Sequence, residues 1–144
     1  MTGRGAKENG PLDGAGRRSL YGSVYRNFLS PFMLAFDQPA PFGTKGRRSV
    51  SNVPAQSLAM LNDPFVIELC NHLGKQIATG SGKDEQKVES LYFQITGKKS
   101  TPSVSKKLVS FIDKQTELHK VRDFKVWSDL AHVLINSKNF IFLN

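Results

Sequence analysis

Disulfide chemistry has almost nothing to work with in this chain, whose 144 residues include one cysteine, Cys70. A lone cysteine excludes an internal disulfide and any zinc site built on several thiolates. Long apolar runs are missing too, and none approaches the roughly 20 residues that span a bilayer. The opening MTGRGAKENGPLDG has no hydrophobic stretch, so no signal peptide is expected within it. There is no Cys-x-x-Cys-His element to attach haem covalently. No glycine loop ends in the Gly-Lys-Ser/Thr that a nucleotide phosphate cradle needs. No cofactor is expected on these grounds.

Acidic residues are the minority, 12 against 20 basic, for a net charge of +8. The excess is uneven. Residues 1–50 hold eight basic and three acidic side chains, a net of +5, and the remaining 94 hold 12 and nine, a net of +3. A basic front attracts anions of several kinds, from nucleic acid to acidic polysaccharide, and charge alone does not choose among them. With no signature nucleic-acid fold in view, nucleic acid is not the expected partner.

A length of 144 residues and 39% hydrophobic content suit one domain with a real core. Residues 1–16 read as an irregular leading segment, rich in glycine. Residues 17–144 read as a single mainly α domain of about four to five helices, with a short β element in the N-terminal third. The β element rests on RSLYGSVYRN (18–27), where apolar and aromatic residues alternate, and on a possible partner in KGRRSVSNV (45–53). Between them Ser30-Pro31 is a cap and first-turn pair for a short helix that Pro39 and Pro41 must stop by Gln38.

From Pro54 the period changes to that of helices. Pro54 opens one helix, and Asp63-Pro64 caps and opens the next, whose apolar residues are Phe65, Val66, Leu69, Cys70, Leu73 and Ile77. Another runs through Val88, Leu91, Tyr92 and Ile95 to a stop at Gly97. Thr101 or Ser100 caps a fourth, with Val104, Leu108, Phe111, Ile112 and Leu118 as its apolar face. The last spans 124–140 and packs through Phe124, Val126, Trp127, Leu130 and Leu134. The apolar ending FIFLN is expected to dock.

Four separated stretches, GPLDGAGRRSLY, RNFLSPFMLAFDQPAPF, GRRSVSNVPAQSLAMLNDPFV and WSDLAHVLINSKNFIFLN, resemble the C-terminal half of a planctomycete-type, cytochrome-associated domain of unknown function (domain of unknown function 1553, the PSD family). The likeness runs from about Gly10 to Asn144 and is weakest between roughly Ile77 and Arg122. It implies the closing part of a larger exported protein, periplasmic or at the cell surface, whose sibling domains can include a cytochrome c-like one. Those sibling domains, with acidic polysaccharide as a further possibility, are the partners it implies. The function implied is a non-enzymatic interaction domain. The alternatives are part of a hydrolase-like enzyme with catalytic groups upstream, or a free-standing cationic module for anions or nucleic acid.

The element GRRS occurs twice, at 16–19 and 46–49, which makes Arg17, Arg18, Arg47 and Arg48 the candidate anion-binding residues. A guanidinium grips phosphate, sulfate or carboxylate with a planar fork. The simpler reading is a clamp in which these arginines pair with Asp13, Asp37 or Asp63. Asp129 and His132, three apart, share a helix face, and an aspartate orienting a histidine is how a general base is built. No serine, cysteine or second carboxylate is placed beside them, so a capped or surface-paired histidine is the simpler reading. No catalytic residue and no metal ligand is assigned. Cys70 and Trp127 read as core.

Overall fold

The computed structural model describes residues 30–39, 43, 46, 47 and 54–141, and 76% of the described residues are helical, in seven helices. They are α1 (Pro31–Ala35), α2 (Pro54–Asn62), α3 (Pro64–Thr79), α4 (Asp84–Thr96), α5 (Pro102–His119), α6 (Phe124–Ile135) and α7 (Lys138–Ile141). No strand occurs among the described residues. The two stretches read as a β element lie outside them except for Gly46 and Arg47, which form a bend. The chain divides into two units, Met1–Ala59 and Met60–Asn144.

In the first unit, α1 is a single turn and a half. Ser30 stands at its cap position but makes no side-chain capping bond. The helix ends before Gln38, because the N–H groups of Phe36 and Asp37 fold back onto Met33 and Leu34 and Asp37 turns left-handed, φ 59°.

The second unit is built from caps that the sequence spells out. Asp63 accepts a hydrogen bond from the Phe65 N–H at 2.9 Å, and Pro64 fills the first position of α3, where no donor is needed. Thr101 accepts from the Val104 N–H and Asp123 from the Lys125 N–H, opening α5 and α6. At α4 the side chain of Gln86 accepts from the Lys83 N–H at 3.2 Å. Lys83 has no acceptor to return the bond, so only half of the reciprocal cap forms. Gly97, at φ 68°, ends α4 in the left-handed geometry that glycine adopts without a Cβ penalty.

The core lies where α3, α4 and α5 meet α6. Val66, Cys70, Leu73 and Ile77 come from α3, Val88, Leu91 and Tyr92 from α4, and Ile112 from α5. From α6 come Val126, Trp127, Leu130, Ala131, Leu134 and Ile135. Fully burying each large side chain contributes about 1.5–3 kcal/mol, so α6, with six apolar residues inside, is the organising element. Its main partner is α3. Gly74 makes that crossing close: a Cβ there would lie 2.6 Å from the Phe124 carbonyl oxygen and 2.7 Å from the Ser128 nitrogen.

Two expectations are corrected. The helix read over 124–140 is interrupted after Ile135, where the N–H of Asn136 and the hydroxyl of Ser137 return to the carbonyls of His132 and Leu134. A short α7 then restarts at Lys138, and the seven helices among the described residues exceed the four or five expected. Of the apolar ending, Phe140 and Ile141 are about half exposed, while Asn139 beside them donates to the Tyr92 hydroxyl at 3.0 Å and holds α7 against α4. Residues 142–144 lie outside the described residues.

Candidate functional site

Of the four candidate arginines, Arg47 is exposed in the bend with Gly46. Arg17, Arg18 and Arg48 lie outside the described residues, as do Asp13 and the other residues of both GRRS copies except Gly46 and Arg47. Among the described residues a guanidinium clamp is formed by Arg122. Arg122, just past α5, reaches Asp84 at the start of α4 at 2.6 Å and Asp113 within α5 at 2.8 Å. An arginine bridging two helices through two nitrogens suits the planar fork. It also fixes the orientation: the end of α5 meets the start of α4, so the two run antiparallel.

Asp129 and His132 do not form the pair that their spacing suggested. Asp129 turns instead to His119, in the last turn of α5, with Nε2 and Oδ2 at 2.9 Å and both side chains more than a third exposed. His132 points its Nε2 at the carbonyl oxygen of Met60, 3.3 Å away, and the Asn136 amide donates to that oxygen at 3.4 Å. Met60 lies in the last turn of α2, where carbonyls lack helical partners. Residues three and four apart on α6 thus converge on one acceptor and tie the end of α2 to the core helix. The geometry is that of two structural ties, with no nucleophile shown beside either histidine.

Cys70 is 2% exposed among Val66, Leu73 and the α6 side chains, and burial pushes its thiol up to about 11. At neutral pH it is a small apolar side chain with little thiolate character. His72, two residues on, is exposed and does not share its face. Trp127 is 3% exposed and Lys87 covers its ring, with the ammonium 5.7 Å from the centroid while it also donates to the Ala78 carbonyl. The indole is therefore core and is closed to stacking on a sugar or base. Among the described residues no three histidine, cysteine or acidic side chains gather in a metal-binding group, and no helix is long and apolar enough to cross a membrane.

What the sequence reading missed is a surface. On α3, Val66, Cys70, Leu73 and Ile77 turn inward, but Phe65, Ile67 and Leu69 are 42%, 43% and 39% exposed. Phe65 and Leu69 stand one turn apart on the same side of the helix. Leu61, at the end of α2 and two residues before the α3 cap, is also exposed. The signal was present in the sequence: six apolar residues at spacings of one, three and four make a stripe wider than one helix contact can cover.

A mainly helical domain with an exposed apolar flank and structurally engaged histidines is the class that these features define. The chain belongs to the PSD1 family, described as a protein of unknown function (DUF1553), whose family model matches residues 4–112. The match takes in the basic front, α1 to α4 and the first part of α5, and ends before α6. No curated protein and no solved structure matches the chain.

Proposed function

We propose that this chain is a non-enzymatic interaction domain that forms the closing part of a larger exported protein and packs against a sibling domain of that protein. The observation that carries this reading is one flank of α3, where Phe65 and Leu69, one turn apart, stay exposed beside the side that the core uses. Apolar residues grouped on one face, beyond scattered single ones, mark interaction surfaces. The engaged state of the polar groups supports the same reading. Cys70 is buried, Asp129 is held by His119, and His132 and Asn136 are held by Met60. A contact of Arg17, Arg18, Arg47 and Arg48 with an acidic partner would add to such an interface, since four guanidinium groups suit carboxylate or sulfate.

The test is the intact mass of the protein isolated from its source, with a haem stain on the same band. A chain much heavier than 16.0 kDa, found outside the cytoplasm, is the expected result, and haem in it would identify the sibling as cytochrome-like. A 16.0 kDa, haem-free cytoplasmic protein would overturn the reading.

A further inference from the structure

The antiparallel pair α4–α5 has two electrically different ends. At the end away from Arg122, the connection and first turns of α5 carry Lys98, Lys99, Lys106 and Lys107, all exposed. From Ser90 to Ile112 there is no acidic residue. At the other end lie Asp84, Glu85, Asp113 and Glu117, with Arg122 bridging two of them. None of the four lysines takes part in an ion pair among the described residues. Helical rise puts Lys106 and Lys107 about 7–9 Å beyond the Thr101 cap, so the four ammonium groups share one corner about two helical turns deep.

The chemistry of the corner narrows its partner. Between Thr96 and Ser110 there is no arginine and no aromatic ring, Phe93 in the last turn of α4 being an exposed ring near this end, but there are six hydroxyl side chains: Thr96, Ser100, Thr101, Ser103, Ser105 and Ser110. Thr96 and Thr101 are bonded to the backbone, and Ser103 and Ser110 are exposed. Nucleic-acid surfaces combine cations with stacking aromatics and with arginine forks. Lysine offers a strongly hydrated point charge instead, which meets singly presented anions without a fixed plane. A flexible chain can also follow this corner without bringing its charge against Asp113 and Glu117 farther along α5.

We propose that the Lys98, Lys99, Lys106, Lys107 corner binds a sulfated or otherwise acidic polysaccharide. The proposal uses neither the candidate arginines nor the apolar flank of α3, and stands whether or not either of those binds anything.

The experiment compares binding of heparin to the unaltered chain and to two variants of equal charge. One carries Lys98→Gln, Lys99→Gln, Lys106→Gln and Lys107→Gln. The other carries Lys114→Gln, Lys120→Gln, Lys125→Gln and Lys138→Gln. Circular dichroism and Tm check that each is folded. Counterion release predicts that the corner variant loses at least tenfold in affinity at 0.1 M salt, with a plot of log affinity against log salt shallower by about three. The control variant is expected to change less than threefold. Equal losses in the two variants would mean that net charge alone attracts the glycan, and would overturn the assignment. Tighter binding of a 20-base-pair DNA duplex than of heparin, lost in the same corner variant, would overturn the choice of partner.

Discussion

Gly74 of α3 and Ser128 of α6 meet where the two helices cross, and the glycine has no room for a side chain. A Cβ at Gly74 would press on the Ser128 hydroxyl and lie 2.6 Å from the Phe124 carbonyl oxygen, to which that hydroxyl already donates at 2.9 Å. Helix propensity alone would make Gly74→Ala stabilising by about 1 kcal/mol. Overpacking at a contact this close costs about 1–3 kcal/mol or more, and backbone atoms cannot swing aside. Gly74→Ala is therefore expected to lower stability in a denaturant titration. Adding Ser128→Ala should not restore it, because the carbonyl and amide remain in place.

Arg122 holds Asp84 and Asp113 together, but Arg122 and Asp113 are exposed and Asp84 is only partly buried. Exposed pairs contribute little, even when one arginine serves two acids. Arg122→Ala should cost about 0.5–1 kcal/mol in a thermal melt at low salt. The difference from the unaltered chain should shrink when the melt is repeated in 1 M salt. Arg122→Lys should lose most of the same amount, because a single ammonium cannot span both carboxylates as the fork does.

Lys120 ends α5 in the left-handed region, at φ 58°, where a Cβ is crowded. Lys120→Gly is expected to stabilise the chain by about 1 kcal/mol, the cost of that geometry for a residue with a side chain. A rise in Tm checks it, and a fall would mean that the lysine side chain makes a stabilising contact larger than the strain.

How much of this was legible in the sequence depends on the distance over which each feature is decided. Asp63, Pro64, Gly97 and Thr101 act on neighbouring residues, and they set helix ends where the structure has them. Of the inward residues of α6, Val126, Trp127, Leu130 and Leu134 followed from their spacing, whereas Ala131 and Ile135 were not read and Phe124 is only partly buried. The apolar face read on α5 was less secure. Only Ile112 of it is buried, and Leu118 is 72% exposed, because the periodicity of a helix says which side is apolar and not how far a neighbour extends along it. The Asp129 partner was missed for the same reason. Spacing of three favoured His132, but the approach of α5 to α6 delivers His119. A positively charged corner could be read from residues 98–107, whereas its separation from the acidic end required the antiparallel fold.

Cys70 gives a pH signature. Its thiol is pushed up to about 11 in the folded chain, above its ordinary value of 9.0. A raised value means that the buried neutral thiol favours folding below about pH 9, and that this contribution is lost as pH rises through about 11. At pH 8 the folded protein should react with a thiol reagent about 100-fold more slowly than the urea-unfolded chain, in proportion to thiolate fraction. Equal rates would contradict the burial of this residue.

The central claim is that the Phe65 and Leu69 flank of α3 is covered in the native protein by a sibling domain. Hydroxyl-radical footprinting read by mass spectrometry addresses it directly, comparing the isolated 144-residue chain with the intact protein purified from its source. Phe65 and Leu69 are expected to be modified readily in the isolated chain and protected several-fold in the intact protein, while Leu118, equally accessible in both, serves as the internal standard. Equal modification of Phe65 and Leu69 in the two samples would contradict the claim, because a covered face cannot remain open to solvent.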